Sequence, residues 1–367
     1  MFSIPTVFIL GAGASWHYGY PTGETLVKKV IVKAEVAARF FKWSAENGNG
    51  NNPNLLLETT ENGPDWKKRW LTLHDQCERL KRGLQQVNPL VIDYYLGWNP
   101  DLQEIGRVLI AWVILECEEQ SRDVNINQEV VAGKRKLFAD SGDNWCRFII
   151  HQLAIHCQTS SDLFKNKVSF VTFNYDVSLE VHLRNGLRHI QMFEKSDVDK
   201  FLDGSRVVHV YGKVRDLKLE ITRVNWSNTD ANNNSVIDFC NLLDVVYAAS
   251  KGIRVIDPHD KGANPTDLTI AQTQIDDAQR VFILGYGFDE ANSKRLRLPE
   301  SLRLGGKANK IVAFTNFGDI NQVNKRASKV FFGNTDSFPP NGQYIVRHTE
   351  KSTRNAYEAL SLDFDIA

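Results

Sequence analysis

Apolar positions along this chain fall into two rhythms. The first is a short unbroken run, Val7 to Leu10, that stops at Gly11-Ala12-Gly13-Ala14-Ser15. A run of that length closed by glycines predicts a buried strand followed by a tight turn. The second rhythm is helical. It opens over about Gly23–Trp43 and then fills the region from about Asp65 to Cys157. There Leu102, Ile105, Val108, Leu109, Trp112 and Leu115 recur every three or four residues, as do Trp145, Phe148, Ile149 and Leu153. The strand rhythm then returns at Val168–Phe173, Arg206–Tyr211, Val281–Leu284 and Ile311–Phe314. Helical patterns at about Val236–Ser250, Asp267–Ala278 and Asp289–Leu296 separate most of these runs. Strands alternating with helices predict a parallel sheet covered on both faces. The expected fold class is therefore a doubly wound α/β sheet built from residues 1–35 and 158–367. A helical module, residues 36–157, is inserted after the first strand and helix.

Composition narrows the function classes. The chain has 367 residues, 42% hydrophobic and 24% charged, as an ordinary soluble globular protein does. Lys+Arg and Asp+Glu both number 44, so no net charge favours nucleic acid or an anionic membrane. Direct nucleic-acid binding is not expected. Cys77, Cys117, Cys146, Cys157 and Cys240 are odd in number and contain no C-x-x-C pair, which argues against a zinc ribbon and against a disulfide framework. Met1 to Pro5 lead into the first strand without a basic leader, and no apolar run reaches the roughly 18 residues that span a bilayer. A cytoplasmic, reduced protein is expected. Asn47–Asn54 is a polar low-complexity stretch and predicts a surface loop.

Candidate chemistry begins at Gly11-Ala12-Gly13. Glycines at a strand end let backbone amides approach a pyrophosphate, and the helix that follows adds partial positive charge. The same residues equally suit a plain strand-to-helix turn. A dinucleotide fingerprint wants a third glycine three positions on, where Trp16 stands, and no clear acidic ribose partner follows. An ordinary dehydrogenase is thus disfavoured.

Five stretches in order resemble the sirtuin-like family. Gly11-Ala12-Gly13-Ala14-Ser15 followed by Gly19-Tyr20-Pro21 is similar to its G-A-G-x-S…G-x-P motif, and Thr172-Phe173-Asn174-Tyr175-Asp176 to its T-x-N-x-D. His209, within Val207 to Gly212, resembles the catalytic histidine. Gly285-Tyr286-Gly287-Phe288-Asp289 stands where the family has a later glycine-rich turn, and Asn316 where it has a ribose-contacting asparagine. The resemblance covers about residues 2–21 and 168–317. The family's four-cysteine zinc module is absent and Asp-Phe-Arg is replaced by Thr22-Gly23-Glu24, which resembles the bacterial defence branch that degrades NAD⁺. Ile92-Asp93-Tyr94-Tyr95-Leu96 is similar to a short segment of that branch's helical insertions.

The resemblance implies a metal-free NAD⁺ glycohydrolase that releases nicotinamide and ADP-ribose. It makes Asn174 and His209 catalytic, and it assigns NAD⁺ contacts to Gly11, Ala12, Gly13, Ala14, Ser15, Pro21, Asp176, Gly285, Gly287, Asp289 and Asn316. The residue chemistry agrees. Nicotinamide leaves uncharged, so the reaction needs a positioned water and a stabilised cationic ribose rather than a general acid. The Asn174 amide can hold a water or a ribose hydroxyl in a pocket where a carboxylate is costly to desolvate. His209 titrates near working pH and suits a proton acceptor. By analogy with its family counterpart, Asp176 holds the nicotinamide carboxamide; the alternative is a helix cap. His209 between two valines equally suits a hydrogen-bonded core histidine. Two other functions stay open: an NAD⁺-dependent deacylase or ADP-ribosyltransferase, and a sensor that binds NAD⁺ or an ADP-ribose derivative without turnover. An unrestrained NAD⁺ hydrolase kills its host. The expected role is thus a gated effector of anti-phage defence, controlled by self-assembly or by a partner such as an Argonaute-like protein or a translocase-like ATPase.

Overall fold

The computed structural model describes residues 1–47, 66–126, 145–203, 205–216, 236–255, 265–302, 310–316 and 320–333. Apart from Asn47, the polar stretch predicted as a loop lies outside these residues. Strand β1 (Thr6–Leu10) leads into a 3-10 helix, Ala12–Tyr18, and then helices α1 (Gly23–Asn47), α2 (Trp66–Val87), α3 (Ile92–Trp98), α4 (Gln103–Ile126) and α5 (Trp145–Ala154). Strand β2 (Val168–Thr172) follows, then α6 (Ser178–Arg188), α7 (Lys195–Leu202) and β3 (Val207–His209). The remainder is α8 (Val236–Ser250), α9 (Pro265–Asp277), β4 (Arg280–Leu284), α10 (Glu290–Arg295), α11 (Leu298–Leu302), β5 (Ile311–Phe314) and α12 (Asn321–Phe332).

The five strands form one all-parallel sheet in the order β3-β2-β1-β4-β5. This is a mixed α/β architecture, consistent with a Rossmann-like fold. All five residues of β1 are buried, which is why it reads as a continuous apolar run rather than an alternating one. Register places Phe8 opposite Phe170 on one side and Phe282 on the other, and the three rings stack at 5.3 and 5.2 Å. Each such ring taken from water contributes about 1.5–3 kcal/mol, so this row pins the central register.

Strand order reverses at β1: the chain adds β2 and β3 on one side of it and β4 and β5 on the other. The loops after β1 and β4 are therefore neighbours at the carboxyl edge, and such a switch point is where open α/β sheets hold ligands. Between β1 and β2, α1 buries Val27, Val30, Ala34, Ala38, Phe41 and Ala45 along one face and packs against α2 and α4. Trp70 and Trp112 sit in that core with Phe40, Phe41 and Phe239, so the aromatic stripe of the helical region is mostly core. Among the described residues no helix is long and apolar enough to cross a membrane.

Candidate functional site at the carboxyl edge

The predicted residues fall along the carboxyl edge, and hydrogen bonds link them across all five strand ends. His209, the last residue of β3, donates from Nδ1 to the Asn174 carbonyl oxygen at 2.9 Å. Asn174, two residues past β2, donates from its amide nitrogen to the Gly11 carbonyl oxygen at 3.1 Å and to Ser15 Oγ at 2.8 Å. The Gly13 amide donates to the Gly285 carbonyl oxygen at 3.0 Å, joining the turns after β1 and β4. Finally, the Gly285 amide donates to the Thr315 hydroxyl, just past β5, at 2.9 Å. Two positions in this row require glycine. A Cβ on Gly11 falls 2.5 Å from the Gly285 carbonyl oxygen, and Gly285 itself has φ +59° with its α-carbon against the Gly13–Ala14 backbone. The G-x-G spacing thus serves the contact between two turns.

Asp176 is buried, and one of its carboxylate oxygens accepts from the Ser178 amide at 3.0 Å, from the Ser178 hydroxyl and from Ser15 Oγ at 3.2 Å. It therefore holds the start of α6 against the first turn. Burial raises its pKa, and the two serines and the charge of His209 limit the rise.

Glu180, on the first turn of α6, was missed from the sequence. Its carboxylate lies 2.9 Å from His209 Nε2, and both side chains are buried. Burial alone pushes the Glu180 carboxyl up, but the His209 charge and hydrogen bond outweigh it and hold the carboxyl below its usual range. Burial likewise disfavours a charged His209 ring, yet the Glu180 charge, its hydrogen bond and the Asn174 carbonyl raise the ring above the ordinary histidine value. A carbonyl only accepts, and so does an ionised carboxylate; with Glu180 ionised, both ring nitrogens carry protons. The sequence held one clue: Glu180 precedes Leu183 by three and Leu187 by seven positions, and both leucines are buried.

The other predicted residues divide. Ala14, Ser15 and Pro21 are buried in or after the first turn, whereas Ala12 and Gly13 are partly exposed. Gly287 is exposed, with open space where a side chain would stand. Asp289 caps α10 by accepting from the Asn292 amide at 3.0 Å. Asn316 stands apart from the row. Its amide donates to the Ile320 carbonyl oxygen at 3.0 Å and to Asn324 at 2.8 Å, closing the entry to α12.

Helix α3 reaches over this edge. Tyr94 donates to Asp289 at 2.6 Å, and Asp93 accepts from Tyr175, between Asn174 and Asp176. From the start of α5, the Trp145 indole donates to the Ala14 carbonyl oxygen at 3.0 Å. The segment noticed in the sequence at Ile92–Leu96 is thus a strap between the helices and the turns.

Beside β3 lies a cavity of about 740 Å³ whose walls include His209, Lys213, Arg215, Arg254 and Asp267. His209 is the only predicted site residue among its lining. Arg254 pairs with Asp267 at 3.0 Å and Arg215 with Glu118. Among the described residues no group of three or more His, Cys, Asp or Glu side chains is placed to hold a metal. The five cysteines are free thiols. Comparison with protein-family models, with curated proteins and with solved structures finds no match to this chain.

Proposed function

We propose that the carboxyl edge binds NAD⁺ and that the protein hydrolyses its nicotinamide–ribose bond. One observation carries this: four residues chosen from separated motifs, Gly13, Asn174, His209 and Gly285, meet in one hydrogen-bonded row at the switch point of a parallel sheet. Exposed Gly287 offers a dinucleotide close approach to the backbone. Asn174 holds the attacking water or a ribose hydroxyl, and His209 takes a proton. No step requires a metal. On this reading the sheet, residues 1–35 and 158–367, is a doubly wound, sirtuin-like NAD⁺ domain that lacks a zinc module, and residues 36–157 are its inserted helical module.

The proposed setting is a gated defence effector in the cytoplasm, assembled as an oligomer or with a partner. The contacts of Tyr94, Asp93 and Trp145 with the turns support gating, because a shift of the helices then reaches the site directly. A sensor without turnover remains the second reading, favoured by the fact that both nitrogens of His209 are already paired. Purified protein incubated with NAD⁺, with and without an acyl-lysine peptide, separates these functions. The expected products are nicotinamide and ADP-ribose, formed faster at concentrations where the chain assembles. Asn174→Ala and His209→Ala are each expected to lose about 10²–10⁴-fold in rate. Binding without turnover at every concentration selects the sensor.

A further inference from the structure

We propose that Glu180 is the positioning residue of this site: it fixes the His209 ring against the Asn174 carbonyl and keeps it an imidazolium until a proton leaves Nε2. The geometry points there independently of any substrate. Two acceptors grip the ring from opposite edges at 2.9 Å each, and both side chains are buried. A buried carboxylate beside an imidazole stabilises the charged ring.

Two carboxylates and one lysine act on the ring. Glu180 approaches from α6, and Asp176, from the turn after β2, also feels its charge. Lys213, from the turn after β3, opposes the charge of the ring and favours the Glu180 carboxylate. Across the cavity, Arg215 and Arg254 are neutralised by Glu118 and Asp267. Glu180 keeps one oxygen, Oε2, buried without a hydrogen-bond partner. A buried acceptor left open is costly, and such groups concentrate where a site awaits a donor. Transfer of the Nε2 proton to Glu180 turns imidazolium and carboxylate into imidazole and carboxylic acid, with charge and protons balanced. When that carboxyl rotates away, the Nε2 lone pair is free to accept a proton.

The inference rests on the NAD⁺ reading only for the purpose of the device, so its test begins without NAD⁺. Ring ¹⁵N and ¹H resonances of His209, assigned by loss in His209→Gln, are followed from pH 5 to 9 in the full chain. The wild-type ring is expected to be doubly protonated at pH 7. A neutral tautomer there overturns the proposal without any variant. In Glu180→Gln the titration is expected to fall by about 1–3 pH units, and in Glu180→Asp to stay raised. An unmoved titration in a folded Glu180→Gln overturns it; if that variant does not fold, the wild-type tautomer and Glu180→Asp decide. With NAD⁺ added, the rising limb of kcat/KM against pH is expected to shift to lower pH in Glu180→Gln, a change that a merely structural contact does not produce. A doubly protonated His209 in a protein that never cleaves NAD⁺ sinks the hydrolase and leaves the pair standing.

Discussion

The two halves of the carboxyl edge are built differently. From β1 to β3 the strand ends are tied by buried polar side chains: Ser15, Asn174, Asp176, Glu180 and His209 are hydrogen-bonded there with almost no exposure to water. From β1 to β5 the ties are backbone contacts between glycine turns, closed by one neutral hydroxyl from Thr315. The first half concentrates groups that can hold or move a proton. The second offers shape and backbone. A site that must both seat a ligand and act on it gains from this division, because each half can be perturbed without rewriting the other.

The largest expected effect comes from breaking the glycine seam. Gly285→Ala puts a Cβ into the Gly13–Ala14 backbone at a residue with positive φ. Left-handed strain of about 1–2 kcal/mol and overpacking of about 1–3 kcal/mol add to roughly 2–5 kcal/mol, read as a fall in Tm or in the denaturant midpoint. A variant as stable as wild type would show the two turns to be less closely packed than described.

A smaller effect probes the charged half through pH. His209 is raised on folding, so its stabilisation is complete below the ordinary histidine value of about 6.5 and disappears as pH rises through the folded value. Glu180 is lowered, so its share is complete above about 4.3 and disappears as pH falls through its folded value. The Tm advantage of wild type over Glu180→Gln is therefore expected to peak between about pH 4.3 and 6.5 and to shrink toward alkaline pH. A constant gap from pH 5 to 9 would assign the contact to packing alone. The smallest effect sharpens the contrast within one turn: Gly287→Ala, with nothing near the added methyl, is expected to stay within about 0.5 kcal/mol of wild type while Gly285→Ala falls.

Most of the sheet was legible in the sequence because parallel strands buried on both faces leave short apolar runs. Val168–Phe173 and Ile311–Phe314 were recognised that way and lie within one residue of the observed strands. Arg206–Tyr211 was read too long. Only Val207–His209 pairs, after which the chain turns through Gly212 at φ +72°. The side-chain partners were less legible. An Asp just before a helix is a cap by ordinary rules, and Asp289 caps α10, a role the motif reading does not give it. Asn316 looked equivalent to Asn174, both following strands. One turns into the row and the other closes a turn, and strand-end position does not distinguish the two. Glu180 hid because a charged residue in a short helix is normally solvated, and only the partner 29 residues later explains its burial.

The position of β1 also bears on how the chain is made. Thr6 pairs with Val168 on one side and with Arg280 on the other. The central strand thus leaves a ribosome before either of its partners, and its second edge is covered only after β4 has followed. Helices α1 and α2 close on each other through nearer contacts and can form while β1 still lacks a partner. During that interval Thr-Val-Phe-Ile-Leu is a largely apolar strand with two open edges, the kind of segment that mispairs between nascent chains. Slow refolding from denaturant, with yield falling steeply as protein concentration rises, follows from this topology.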